Sequence, residues 1–182
     1  MIQQNAIFRY HAAGNWLAML AAVSKDPAML IWLDQAQGRK DHPNENFARE
    51  VMELFTLGEG HYTEKDVTEA ARAFTGWSLE RGTEQFTYRP LFHDGGNKTV
   101  LGKTGQLEGD DVLRIIVAQP QAAEFITRKL WVFFANDNPA PEMVRTLAAV
   151  FRQQGNNFRP VLEAMFRSQL LNEPRARSRL NL

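Results

Sequence analysis

The chain has 182 residues, of which 44% are hydrophobic and 10% aromatic, so it has the length and the apolar content to fold around one hydrophobic core. Its 21 basic and 21 acidic residues cancel, which leaves no net field to draw the chain onto nucleic acid or an anionic membrane surface. The absence of cysteine excludes disulfide frameworks, thiol catalysis and cysteine-ligated metals. The longest apolar runs cover residues 16–23, 28–33 and 130–135, well short of the roughly 20 residues that span a bilayer. We therefore expect no transmembrane segment.

Apolar side chains recur three or four positions apart along most of the chain, which is the spacing of helices that bury one face. The pattern predicts a mainly α fold, a compact multi-helix bundle that forms a single domain over residues 1–182. Helices are predicted over residues 3–12, 16–23, 27–33, 44–57, 63–76, 110–117, 120–134, 141–154 and 158–170. The polar segment 34–43 is predicted to be a loop.

The helix predicted over residues 44–57 is the first that carries candidate chemistry. Asn44 stands where its side chain can accept from the free N–H groups of the first turn. The predicted buried stripe consists of Phe47, Val51, Leu54 and Phe55. Another face carries an acid-base-acid ladder at intervals of four residues, formed by Glu45, Arg49 and Glu53. A capping box, Thr63 with Asp66 three positions later, marks the start of the next helix.

The helical spacing is lost between residues 78 and 106, where Thr, Tyr, Phe and Val are interrupted by glycines. This composition predicts a small β-hairpin or irregular insertion in the bundle. Two short strands, residues 85–88 and 99–101, are predicted to form that hairpin around the turn-rich residues 93–97.

Several blocks of the sequence together resemble a known bacterial family. They are NENFAREVMELFTLGEGHYTEKDVTEAARAFTGW at residues 44–77, HD at 93–94, LGKTG at 101–105, GDDV at 109–112 and RKLW at 128–131. This pattern is similar to that of the domain of unknown function (DUF) 1800 family, and the similarity extends over nearly the whole chain. The family carries no established activity.

The resemblance to that family has implications for context. Members usually run longer at the N-terminus, so the chain resembles the C-terminal part of such a protein. Many members resemble exported proteins and are encoded beside a second family of sulfatase-like or phosphatase-like character. The resemblance therefore implies a protein partner of that kind and a periplasmic or exported location, and a cytoplasmic location stays open.

Two short motifs have a spacing that suits a metal ion. His42 lies three residues before Glu45, and His61 lies three residues before Glu64. Imidazole and carboxylate groups at this spacing can share a divalent cation, so His42, Glu45 and His61 are candidate ligands. The competing interpretation is that an acidic residue in a first helical turn stabilises the helix dipole. Neither motif continues to a second histidine, since position 65 is lysine.

Glu50 and Arg49 form a second group of candidates. Glu50 lies beside the apolar stripe of its helix, where burial would suit it to general acid or base chemistry. The structural interpretation, which we favour, is an ion pair between Glu50 and an arginine of the neighbouring helix, such as Arg72. Arg49 is a candidate binding residue.

The insertion supplies the remaining candidates. His93 and Asp94 lie in a glycine-rich turn, and at the mouth of a pocket they could serve as catalytic groups. The residues from Asp94 to Asn97 are also an ordinary turn sequence, and this is the favoured role for all of them except His93. Trp77 and Tyr88 bracket the irregular segment and are candidate binding residues that could stack on a sugar ring or a peptide, although core packing is the favoured role of Trp77. Gly102-Lys103-Thr104 does not make a nucleotide-binding loop, because position 97 is asparagine where a Walker A loop requires glycine.

Two functional hypotheses follow. The preferred one is an accessory or protein-binding module. The alternative is a hydrolase with a His/Glu/Asp site where the loops at residues 42–45, 61–66 and 93–94 converge, with Glu50, His61, His93 and Asp94 as catalytic candidates and a divalent metal as the candidate cofactor. The two hypotheses differ in one spatial expectation, which is whether the three histidines share a cleft.

Overall fold

The computed structural model describes residues 2–168, and in that range the chain is mainly α, as the apolar spacing predicts. The helices are α1 (Ile2–His11), α2 (Trp16–Ser24), α3 (Pro27–Trp32), α4 (Glu45–Glu53), α5 (Glu64–Phe74), α6 (Gly109–Val117), α7 (Pro120–Phe134), α8 (Pro141–Gln153) and α9 (Phe158–Arg167). None of these helices is long and apolar enough to cross a membrane. The end predicted for the last helix, residue 170, lies outside the described residues.

Local signals in the sequence set most of the helix starts. Proline occupies the first turn of α3, α7 and α8, where its missing N–H costs nothing and its fixed φ suits the helix. The side chain of Asn44 accepts from the N–H of Phe47 at 3.2 Å, as predicted. Thr63 and Asp66 form the predicted capping box at the start of α5.

The end of α4 differs from the prediction. The helix stops at Glu53 rather than at residue 57, because the Thr56 hydroxyl donates to the Val51 carbonyl at 2.6 Å and the Leu57 N–H turns back to the Met52 carbonyl at 2.7 Å. Leaving the helical path also removes Leu54 from the predicted buried stripe, and its side chain is 50% exposed. The buried residues of α4 are Phe47, Ala48, Val51 and Met52.

The core contains an aromatic cluster that joins the helices to the insertion. Phe47 of α4, Phe74 of α5 and Phe86 of the insertion all meet the Trp77 ring edge to face, with ring centroids 6.2, 5.1 and 5.6 Å apart. Gly109, at the start of α6, allows that helix to approach the cluster. A Cβ at this position would lie only 2.6 Å from Cε2 of Trp77 and 2.7 Å from Cδ1 of Phe74.

The insertion contains two hairpins where the sequence predicts one. Strand β1 (Trp77–Leu79) pairs antiparallel with β2 (Phe86–Tyr88), and β3 (Lys98–Val100) pairs antiparallel with β4 (Lys103–Gly105). The predicted pairing of residues 85–88 with 99–101 is therefore wrong, because each segment finds a partner closer in sequence. Leu101 and Gly102 both have positive φ and form the two-residue turn between β3 and β4.

The acidic residues at the start of α6 have separate roles. The N-cap residue is Glu108, and the helix begins at Gly109 rather than at the predicted residue 110. Asp111 occupies the third helical position and its carboxylate accepts from the Glu108 N–H at 2.9 Å. Asp110 instead forms an ion pair with Lys25 at 2.7 Å, which ties α6 to the end of α2.

Candidate functional site

An ion pair between α5 and the insertion involves one of the predicted catalytic residues. The Arg72 guanidinium donates to both carboxylate oxygens of Asp94, at 2.7 and 3.2 Å, and to Glu69 at 2.9 Å. Arg72 holds the pKa of Asp94 below its ordinary value, and the Gly96 N–H adds to this effect. The hydrogen bonds that the Asp94 carboxylate accepts also stabilise the turn at residues 93–97, so the carboxylate has a structural role in that turn.

The polar face of α5 also satisfies backbone groups of the second hairpin. Asp66 accepts from the Leu101 N–H at 2.7 Å, and Glu69 accepts from the Thr99 N–H at 2.9 Å. Burial opposes the ionisation of both carboxyls, but the hydrogen bonds outweigh it and lower their pKa values. Asp66 and Glu69 therefore satisfy backbone N–H groups of β3 and of the turn that follows it.

His93 is held from two sides in the same region. Its Nδ1 lies 2.9 Å from the Thr75 carbonyl oxygen, which can only accept, so we assign the Nδ1–H tautomer from this contact. The ring also packs against Tyr88 with centroids 5.7 Å apart. The imidazole is half-buried, and Nε2 is the nitrogen left for any contact beyond the fold.

Lys98 is a buried charged residue that the sequence patterns did not single out. It is 1% exposed, and its ammonium donates to the carbonyl oxygens of Asp94 and, at 3.0 Å, Gly96. Burial lowers the pKa of Lys98, with partial compensation from the Asp94 carboxylate. In the sequence it is a lysine directly before the strand predicted over residues 99–101, and a lysine in that position is typical of an exposed edge.

The predicted ladder on α4 does not form, because its residues bind partners in α5 and in the turn before α5. Arg49 makes a bidentate ion pair with Glu64, with both N–O distances 2.7 Å. Glu53 accepts from the Tyr62 hydroxyl, and burial together with this bond raises the pKa of Tyr62 to about 12. Within the described chain Glu50 makes no ion pair, and Arg72, the example offered as its partner, pairs with Glu69 and Asp94. Glu50 itself is half-buried.

The three predicted metal ligands lie in different surroundings. His42 lines a shallow cleft made by residues 34–44, and Glu45 accepts from the Thr68 hydroxyl at 2.9 Å. His61 lines a separate cleft with residues of α7 and α8. Within residues 2–168, no group of three or more His, Asp or Glu side chains is arranged to hold a metal ion.

The two aromatic binding candidates differ in exposure. Trp77 is 3% exposed, and its ring contacts are made inside the aromatic cluster and with the Lys25 ammonium, 5.1 Å from its centroid. This arrangement agrees with the core-packing interpretation of the residue. Tyr88 lies at the surface beside His93.

An apolar groove of about 230 Å³ is the site that the sequence patterns missed. It is lined mainly by Phe8, Trp16, Met19, Leu20, Val23, Met29, Phe47, Val51, Leu54, Phe55 and Ile126, with Ser24 and Lys129 as its polar residues. Phe8 and Leu54 remain 45% and 50% exposed at its edge. The only signal in the sequence was the apolar excess of α2 and α3, and the same excess would be found in helices of a closed core.

These features define a mainly α domain in which the polar face of one helix fastens a two-hairpin insertion, with an open apolar groove elsewhere on the surface. The chain belongs to the family described as proteins of unknown function, DUF1800, whose model matches residues 1–181. No curated protein and no solved structure matches the chain.

Proposed function

We propose that this domain is a protein-binding module whose apolar groove receives an amphipathic helix of a partner protein. The observation that carries the proposal is that this groove stays open beside a helix, α1, that buries none of its own residues. An apolar groove between helices offers a surface on which the apolar face of another helix can pack.

Helix α1 leaves most of its apolar side chains uncovered in the described structure. Its large apolar residues Ile2 and Tyr10 are almost fully exposed, and Phe8 is only partly covered by the groove. A partner that covers α1 and the groove together would supply the missing apolar burial.

The chemistry of the groove favours a helical partner over a polar ligand. Its walls come from α1, α2, α3, α4, the turn after α4 and α7, so they consist mostly of helices that present apolar side chains at intervals of three and four residues. At one edge, the Lys129 ammonium donates to the Leu54 carbonyl at 2.9 Å and lies 4.5 Å from the Phe125 ring centroid. This cation suits an acidic residue on the polar face of the partner helix.

The partner that we propose is the sulfatase-like or phosphatase-like protein that the family resemblance implies, with both proteins in the periplasm or exported. The family resemblance supports this choice of partner, whereas the apolar groove supports the position of the binding surface.

The test is the affinity of the purified chain for that partner, measured by calorimetry for two matched variants. Leu54→Glu puts a charge into the groove, and Leu91→Glu puts the same charge on a leucine that is 84% exposed in the insertion. We expect Leu54→Glu to weaken binding at least about tenfold, a loss of about 1.4 kcal/mol, and Leu91→Glu to leave it unchanged. Absence of binding, or equal effects of the two variants, would contradict the proposal. Concentration-dependent dimerisation that Leu54→Glu abolishes would instead make a second copy the occupant.

The hydrolase alternative retains one supporting observation. The Lys40 N–H donates to the Phe92 carbonyl at 2.8 Å, so the loop that carries His42 runs beside the turn that carries His93. Metal analysis of the purified protein before and after chelator treatment tests this alternative. Stoichiometric zinc, manganese or calcium would favour the hydrolase over the binding module.

A further inference from the structure

A second cleft, of about 330 Å³, lies between the turn at residues 57–61 and helices α7 and α8. It shares no residue with the apolar groove. Its volume is at the lower end of the range of about 300–1,000 Å³ that small-molecule sites occupy, so it would accept a compact ligand.

The charged side chains of this cleft have opposite signs and are not paired with one another. Glu59 and Glu124 line it together with Arg128 and Arg145. In the part of the chain that the structure describes, none of these four makes an ion pair, although the ion pairs of Arg49, Arg72 and Arg114 show that the chain forms such contacts elsewhere. Two acidic and two basic residues that have no ion-pair partner in the described chain therefore line the cleft.

The floor of the cleft is apolar. Leu57 and Val144 are buried beneath it, and Phe125 is half-buried. Gly58, with φ of 81°, brings the turn so close that a Cβ there would lie 3.2 Å from the Phe125 ring. A glycine is thus required for this approach, and the floor is tightly packed.

We infer that this cleft binds a small zwitterion with an apolar side chain, such as a free amino acid. Two arginines are suited to a carboxylate, since a guanidinium offers donors in a planar fork that matches it. Glu59 and Glu124 offer acceptors to an ammonium group, and the apolar floor accommodates the side chain. One ligand of this class satisfies all three parts of the cleft, whereas an anion leaves the two carboxylates unmatched.

The test is calorimetric titration of the full chain with three probes that share one ring. Phenylalanine carries both charges, 3-phenylpropionate lacks the ammonium and phenethylamine lacks the carboxylate. We expect saturable binding of phenylalanine with a Kd below about 10 mM, and binding of each singly charged probe to be about tenfold weaker. Equal binding of the three probes, or no saturation by phenylalanine up to that concentration, would overturn the inference.

Variants in which arginines are replaced test where the ligand binds. Arg128→Gln combined with Arg145→Gln should weaken phenylalanine binding at least about tenfold. Arg152→Gln, on an exposed position of α8 outside the cleft, is the matched control and should retain the affinity. Thermal unfolding of each variant verifies that it is folded. Binding that survives in a folded double variant would place the ligand elsewhere and contradict the assignment.

Discussion

Arg72 of α5 and Asp94 of the insertion are joined by two hydrogen bonds, of 2.7 and 3.2 Å, and neither side chain is more than about a quarter exposed. Asp94 also accepts from the Gly96 N–H at 2.9 Å, and its own N–H donates to the Thr75 hydroxyl at 2.8 Å. These contacts link α5 to the turn that leads into β3. We therefore expect the pair to contribute to stability whether or not the turn has a further role.

Replacing Asp94 by asparagine should destabilise the fold by about 1–3 kcal/mol, because Arg72 loses a charged acceptor in a partly buried position. Urea unfolding followed by circular dichroism measures this loss. Asp41→Asn is the matched control, since Asp41 is exposed in the loop before α4 and makes no ion pair within the described chain. Equal stability of the two variants would show that the Arg72 pair contributes nothing.

The acidic groups that fasten the insertion also make stability depend on pH. The pKa values of Asp94 and Glu69 are lowered in the folded chain from ordinary values of 3.8 and 4.5. The unfolded chain therefore binds more protons in this range, and the free energy of unfolding should fall as the pH falls below about 5. Urea midpoints at pH 7, 5 and 4 measure the effect. Asp94→Asn should reduce the slope, and an unchanged slope would contradict this account.

Gly109→Ala should destabilise the chain by about 1–3 kcal/mol, because the added methyl group overlaps the Trp77 and Phe74 rings in a packed core. The control is Gly95→Ala, where a Cβ meets no atom within 4 Å. Differential scanning fluorimetry separates the two variants. If Gly109→Ala unfolds at the same temperature as Gly95→Ala, α6 does not pack against the aromatic cluster as described.

Alanine substitution should affect stability differently at His93, in the insertion, and at His61, in the turn before α5. His93→Ala removes the bond to the Thr75 carbonyl and the contact with Tyr88, so we expect a loss of about 1–2 kcal/mol. His61→Ala should change stability by less than about 1 kcal/mol, since that side chain is exposed in the second cleft. Chemical denaturation of both variants measures the difference. A larger loss at His61 would assign it a structural role.

Much of the fold was predictable because its signals are local. Pro120 and Pro141 mark helix starts, and Thr63 with Asp66 marks a capping box, through interactions within one turn. The hairpin pairing was not predictable, because β1 and β4 are three residues long and carry no alternation. The exposure of Leu54 follows from the Thr56 hydroxyl bond, which competes with the helix and leaves no trace in apolar spacing.

The candidate site was predictable in part. The sequence identified Asp94 and His93 as polar groups in a turn but did not reveal that Arg72 and Thr75 bind them. The sequence predicted pairs along α4, whereas Arg49 binds Glu64 and Glu53 binds Tyr62. Both partners lie beyond the turn that follows α4. Contacts of this kind depend on how elements pack, and residue spacing along one helix carries no information about them.

Hydrogen-exchange mass spectrometry of the chain with and without the proposed partner tests the binding-module account most directly. We predict that exchange slows at the walls of the groove, in α1, α2 and residues 47–55, and that residues 93–98 are unaffected. Slower exchange confined to residues 93–98, or no change anywhere at saturating partner, would contradict the account.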